Sequence, residues 1–402
     1  MRRAVITGLG IVSCIGNSLG AVEASLREGR SGIRRVAEFE SAGLRSTVAG
    51  VPEIGAEPPV DRKLRRFMGD AALYAYLAAR SAILDAGLEA AALASPRAGL
   101  VVGSGVGSLF EHSAAVDAMR DKGADRLPPY SVPRVMASSA SACLSTAFGI
   151  RGVSYSLTSA CATSAHCIGH GAELIRMGKQ DLVVAGGTEE VRWTSALHFN
   201  AMEALSTARN DGAASRPYDR ARDGFVIAGG AGILVIEELE RARRRGARIY
   251  AEVAGYGATS DGAHIVAPEA DGAARAMRLA LDEAGGGVGY INTHAASTPL
   301  GDATELEAVR EVFGAQVPAI SSTKGISGHA IGAAGAHEAI YSLLMMERGF
   351  LAGCAHIDEL DPAFAGLPIL RRNEERRVDA VLSNSFGFGG TNASLVFRRL
   401  AS

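Results

Sequence analysis

Residues 153–170 read VSYSLTSACATSAHCIGH and change character twice. Val153, Tyr155 and Leu157 alternate with small or polar residues, the period of two expected of a strand. Thr158 to Ala165 are almost all small, and Ile168 to Ile175 follow a helical pattern with few charges. This predicts a sharp strand-to-helix turn with Cys161 at the start of the helix. There the helix dipole lowers a thiol's pKa and favours thiolate. Small neighbours also leave backbone N–H groups free to face whatever the sulfur attacks. Cysteine is commonly just a buried apolar residue, and that reading suits Cys143 and Cys167. For Cys161 the turn, the small-residue collar and the partners described below favour a nucleophile.

The rest of the chain sets the limits. Its 402 residues, 48% hydrophobic and 21% charged, are enough for two packed domains of ordinary globular composition. A net charge of −2 argues against nucleic-acid binding. The five cysteines (Cys14, Cys143, Cys161, Cys167, Cys354) are odd in number and lack C-x-x-C spacing. They read as free thiols in a reducing cytoplasm, with no zinc site. The opening MRRAVITGLGIVSC resembles a signal peptide. Ala4 to Thr7 also read as a buried strand stopping at a Gly8-Leu9-Gly10 turn, which we favour. No run approaches the roughly 20 apolar residues of a membrane span.

The two halves echo each other. Gly229 to Val235 (GGAGILV) is matched by Gly389 to Val396 (GGTNASLV), and the opening strand by Ile249 to Gly257 (IYAEVAGYG). The Cys161 turn is matched by Pro318 to Lys324 and the Gly/Ala-rich helix after it. The echo predicts a duplicated α/β unit, with halves 1–246 and 247–402 divided after the basic stretch ending at Gly246. In such folds ligands gather at strand C-terminal ends where the halves meet. Helices are expected over 18–30 and, as a pair, over Asp61 to Gly87, whose basic start includes Arg62, Lys63, Arg65 and Arg66. Asp181 to Gly187 reads as a fully buried strand.

Several residues at such ends carry chemistry. His294 follows the strand 289–292, before a polar loop. Lys324 and His329 lie five residues apart. Glu338 sits in so apolar a helix that it needs a partner. Ser383 to Asn392 (SNSFGFGGTN) is a glycine-rich loop whose N–H groups can serve as an oxyanion hole. The other histidines, 112, 166, 170, 198, 264, 337 and 356, lack such a context and read as structural or surface residues.

In order along the chain, TSACATSAH, NTH with STPLGD, STKG with GH and GAAG, and SNSFGFGGTN resemble the β-ketoacyl-acyl carrier protein synthases, condensing enzymes of the thiolase fold. ITGLGIVS, DRKLRRFMGDAA, DGFVIAGG and EAIYSLLMMERGF sharpen the likeness to the type I enzymes of bacterial fatty acid synthesis. The resemblance runs end to end, which also removes the signal-peptide reading. It implies duplicated α/β halves packed in αβαβα layers. It implies a catalytic set of Cys161, His294, His329 and Lys324, with oxyanion donors on Cys161 and Phe388. Thr298, Val106, Phe386 and Phe388 would bind substrate, and Lys63 and Arg66 would dock an acidic acyl carrier protein loaded with acyl or malonyl groups. The resemblance further implies a cytoplasmic homodimer (through Ala137 to Ile150), no cofactor and no membrane insertion. By the same likeness Asn292, Glu338, Ser383 and Asn384 would gather round a monovalent cation.

Two positions depart from the family pattern. Relatives usually have threonine where this chain has Ala296, leaving Thr298 as the one hydroxyl for the substrate's pantetheine arm. One lost hydrogen bond costs about 0.5–1.5 kcal/mol. Val106 replaces a glycine, and the expectation is a shorter or reshaped acyl pocket. Both keep open a specialised polyene or polyketide pathway using the same chemistry. A non-catalytic chain-length subunit is disfavoured because Cys161 is present, and a degradative thiolase because those enzymes use a second cysteine as base.

Overall fold

Ten largely apolar strands form the main sheet of a computed structural model that describes residues 2–55 and 60–400. In the first half they are β1 (Ala4–Val12), β2 (Ala98–Ser104), β3 (Ser154–Tyr155), β4 (Leu182–Glu189) and β5 (Gly230–Glu238). The second half supplies β6 (Ala251–Ser260), β7 (Tyr290–Asn292), β8 (Ala319–Ser321), β9 (Ala380–Gly387) and β10 (Thr391–Arg398). The spatial order is β8-β7-β9-β10-β6-β1-β5-β4-β2-β3. The two halves thus use one strand order, mirrored about the antiparallel contact of β1 with β6 at Val5–Glu252 and Ile6–Ala251. The echoed segments fall on equivalent strands, β1 with β6 and β5 with β10.

Seven helices matter here: α1 (Leu19–Glu28), α2 (Asp70–Asp85), α3 (Ser139–Phe148), α4 (Thr163–Arg176), α5 (Ala270–Ala284), α6 (Pro299–Phe313) and α7 (Ala334–Arg348). α2 packs on β1, β4, β5 and α3, while α5 packs on β6, β9, β10 and α6. Between the half-sheets lie α4, which touches β2, β4, β5, β6 and β10, and α7, which touches β5 and β9. Thirteen residues of α7 are buried, as a helix covered on both sides must be. The result is the expected αβαβα layering.

Close backbone approach sets the outer layers. A Cβ on Gly10 would lie 1.9 Å from the carbonyl oxygen of Ala78, and one on Gly8 2.3 Å from that of Ala82, both on α2. The second half repeats the device: Gly255 would meet Ala280 O at 1.9 Å, and Gly257 would meet Ala276 O at 2.0 Å, on α5. Glycine on the strand facing alanine on the helix lets the layers touch at backbone distance.

Some expectations need correction. β1 continues through Gly8-Leu9-Gly10 with a register shift between Ile6 and Gly8, so these glycines are packing positions and not a turn. The strand before Cys161 pairs only at Ser154 and Tyr155, because the chain then bends into Thr158–Ser159 under the Ser104 carbonyl. Arg62–Arg65 is a single turn capped by Asp61, separate from α2, so no long helix pair forms. α1 is as expected, capped by Ser18 and closed by Gly29 in the left-handed region.

Replacing Gly10 with alanine is expected to lower stability by about 1–3 kcal/mol through overpacking. Gly20→Ala, in α1 with nothing within 4 Å of the new Cβ, is expected to raise it by about 0.5–1 kcal/mol. Denaturant melts of the two variants check both signs.

Candidate active site

Cys161 sits in a 3₁₀ turn, Ala160–Ala162, that runs directly into α4. Ala160 has φ +50°, so the turn is strained and tight. Cys161 is buried in one apolar cluster with Ala296, Ile331 and Phe225. Among the described residues, Cys161 Sγ and one ring nitrogen from each of His294 and His329 lie within 4.8 Å of one another. The two imidazoles meet edge to face, with ring centroids 5.1 Å apart. Phe225 packs edge-on against His329 at 5.4 Å, and Phe386 lies 6.1 Å from His294.

Behind the histidines Lys324 Nζ donates to Glu338 Oε1, and both residues are buried. The expected partner of Glu338 is therefore Lys324. Burial raises the Glu338 carboxyl to about 7, and the lysine opposes that rise. Burial and the Lys324 charge hold His294 and His329 well below the ordinary value of 6.5. Both imidazoles are thus neutral at pH 7. His294 Nδ1 and both ring nitrogens of His329 have no protein hydrogen-bond partner among the described residues. They are free to serve a bound group.

The thiolate expectation is corrected. Burial pushes the Cys161 thiol up to about 12, with Lys324 and the backbone N–H of Phe388 pulling down and Glu189 and Glu338 pushing up. Desolvation of a sulfur anion outweighs the helix N-terminus here, so the resting group is a thiol. The Phe388 N–H faces the sulfur, and Gly387 lies so close that a Cβ there would be 3.1 Å from Cys161 N. The two expected oxyanion donors therefore converge from opposite halves.

A cavity of ≈ 450 Å³ opens above these groups, lined by Cys161, His294, His329, Ala296, Thr298, Phe386 and Phe388. Thr298 caps α6, its Oγ1 accepting from Gly301 N at 3.2 Å, which leaves its hydroxyl proton for a ligand. Phe388 is 37% exposed, so its ring stands at the mouth while its N–H reaches the floor. Val106 is not on this cavity. Its N–H turns toward Glu189 (3.3 Å), on the loop behind Ile331. Lys63 and Arg66 are exposed, and neither makes an ion pair among the described residues.

Sequence reasoning missed the carboxylates that hold the loops. Glu305 accepts from His294 N (2.9 Å), Ala295 N (2.8 Å) and Asn384 Nδ2 (3.0 Å). Asp302, one turn earlier, accepts from Ser297 N (3.1 Å) and Tyr218 N (3.0 Å). Two acids three apart on a helix read as a solvated face; the available signal was their place just after the His294 loop.

Of the four cation candidates, Asn292 Oδ1 and Glu338 Oε2 are buried without partners among the described residues and fit a small cation. Asn384 departs from the expectation, because its side chain is already engaged by Glu305 and Ser394. The Cys161, His294 and His329 donor atoms would also suit a soft divalent metal.

Comparison with known proteins agrees with this geometry. The family model "Beta-ketoacyl synthase, N-terminal domain" matches residues 1–242, and "Beta-ketoacyl synthase, C-terminal domain" matches 250–358. The chain is 56% identical to 3-oxoacyl-[acyl-carrier-protein] synthase 1 of Escherichia coli over the whole of both chains. It is 54% identical to the protein of that name from Haemophilus influenzae over 99% of each. A crystal structure of a β-ketoacyl synthase from Burkholderia phymatum superposes with a TM-score of 0.94 over both full chains at 38% identity.

The two lowered histidines carry a signed prediction. Their folded pKa values lie below the unfolded value, so they disfavour the folded state as pH falls through about 6.5, where the unfolded chain takes up protons. Ring resonances of His294 and His329 in NMR spectra are expected to stay in the neutral position from pH 8 to pH 5.5. A titration midpoint near 6.5 for either would contradict the burial argument.

Proposed function

The chain belongs to the β-ketoacyl synthase family, and from that premise we propose that it elongates fatty acyl chains by decarboxylative Claisen condensation. Its substrates are an acyl group and a malonyl group, each carried by acyl carrier protein, and its product is β-ketoacyl-carrier protein. The observation that carries this reading is the meeting of a buried thiol, two neutral imidazoles with free nitrogens and a buried lysine under one cavity.

In the first step Cys161 Sγ attacks the acyl thioester carbonyl. The carbonyl oxygen becomes an oxyanion facing the N–H groups of Cys161 and Phe388, and the bond to the pantetheine sulfur breaks. The thiol proton leaves with the pantetheine thiolate. Because the resting sulfur is a thiol, ionisation accompanies attack, under the field of Lys324 and the helix start.

In the second step malonyl-carrier protein occupies the emptied arm site, with its thioester oxygen between His294 and His329. Loss of CO2 leaves the bonding pair on an enolate, and neutral imidazole N–H groups can donate to its oxygen without quenching the carbanion. The α-carbon attacks the Cys161 thioester, a C–C bond forms, and the Cys161 sulfur departs to be reprotonated. Lys324 acts through its field and through Glu338, and Thr298 holds the arm.

The same proposal assigns carrier-protein docking to Lys63 and Arg66, exposed cations without acidic partners among the described residues. It assigns a cytoplasmic homodimer to the open edge at β3 together with α3. β3 ends the sheet, whereas the opposite edge strand, β8, is covered by the bridge from Ile320 to Ile369. No helix among the described residues is long and apolar enough to cross a membrane. Asn292 and Glu338 would hold a monovalent cation, with Ser383 beside them, as a structural charge near Lys324. The division of the chain after Gly246 likewise fits the start of the second strand set at Ala251.

Wild-type protein incubated with an acyl-carrier protein is expected to gain the acyl mass and then release β-ketoacyl product on addition of malonyl-carrier protein. Cys161→Ala is expected to show neither, and retained condensation would refute the nucleophile. Reversing both docking charges, Lys63→Glu with Arg66→Glu, is expected to raise KM for the carrier protein about tenfold or more with kcat little changed. An unchanged KM would remove the docking surface.

A further inference from the structure

The two oxyanion donors come from different halves of the chain, Cys161 N from the turn before α4 and Phe388 N from the turn between β9 and β10. Their separation must be held by something that spans both. Three residues beyond Phe388, at the start of β10, lies Thr391, which pairs with Gly387 across the hairpin and with Ser260 on β6. Its Oγ1 is 3.1 Å from Nε2 of His166, which lies five residues beyond Cys161 on α4. The other ring nitrogen, Nδ1, is 2.6 Å from the Tyr256 hydroxyl on β6. Gly169, one turn further along α4, makes room for that tyrosine, since a Cβ there would lie 2.3 Å from its ring.

From this geometry we propose that His166 is a positioning residue that fixes the Phe388 N–H relative to the Cys161 N–H, by tying helix α4 to the Thr391 end of the glycine loop. Each hydroxyl can donate or accept, so a neutral ring bonds both at once, donating from one nitrogen and accepting at the other. Burial holds the imidazole in that state, at about 4. The histidine touches neither substrate nor sulfur. It acts through the loop, and so it bears on the step that makes an oxyanion at the Cys161 carbonyl and not on the malonyl oxygen held by His294 and His329.

This rests on the condensing reaction proposed above, and that reaction supplies the readouts. Acyl transfer from acyl-carrier protein to Cys161 is followed by intact-protein mass spectrometry, and decarboxylation by CO2 release from malonyl-carrier protein. His166→Leu and Thr391→Val are each expected to slow acyl transfer by about ten- to a hundredfold, somewhat less than full loss of one oxyanion donor. Each should leave CO2 release within about twofold of wild type. The double variant should be no slower than the slower single one, because both remove one bond. His166→Gln, whose Nε2 can still reach Thr391, should recover most of the rate. Unchanged acyl transfer in Thr391→Val, or an equal fall of both half-reactions in both variants, overturns the inference. If unaltered protein takes up no acyl mass, the functional reading and the inference fail together.

Discussion

The buried pair of Lys324 and Glu338 is the interaction on which the site depends. Both residues are buried, and two ions moved out of water recover their desolvation cost only where the geometry between them is good. Breaking such a pair costs about 3–5 kcal/mol, because the survivor stays buried and uncompensated. A protein keeps this arrangement where the charge has further use. Here the ammonium lies close enough to lower the proton affinity of both imidazoles and to oppose the burial that keeps Cys161 a thiol. One charge therefore holds two histidines as neutral donors and eases ionisation of the sulfur during attack. Glu338 moderates that field and keeps the lysine in place.

Much of this was legible in the sequence because the elements concerned are local or duplicated. The strand-turn-helix at Cys161, the alanine-rich helix after His329 and the echo between GLG and GYG each follow from a few neighbouring residues, and the sheet order reproduces the echo. The reason for the glycines was harder to read. Gly8 and Gly10 look like a turn in one dimension and prove to be contact points for a helix about 70 residues later. The Cys161 ionisation was misread for a related reason: a helix start is visible in sequence, whereas the apolar cluster that buries it draws Ala296, Ile331 and Phe225 from three distant segments. Glu305, Asp302 and His166 were passed over because most of their partners are backbone N–H groups or hydroxyls, and the side chains that join them, Asn384 and Arg222, lie about 80 residues away in sequence.

The duplication raises the question of why only one half has a nucleophile. The second copy repeats the elbow: Ile331 has φ +44°, against +50° at Ala160, and opens the 3₁₀ turn Ile331–Ala333 before α7. A left-handed β-branched residue is costly, so the geometry is retained against local preference. Gly332 then stands where Cys161 stands. At the facing strand end the two copies diverge. Glu189 closes β4 and accepts from Gly332 N (2.9 Å), Gly105 N (2.7 Å), Val106 N (3.3 Å) and Ser104 Oγ (2.6 Å). Its carboxylate fills the cradle of N–H donors. At the equivalent end of β9 stands Gly387, whose missing side chain leaves the space beside Cys161 N open. One cradle is closed by an anion built into the chain, and the other is left for an anion made during reaction. The backbone N–H of Val106 is one donor of the filled cradle, which lies behind Ile331, part of the wall of the open one.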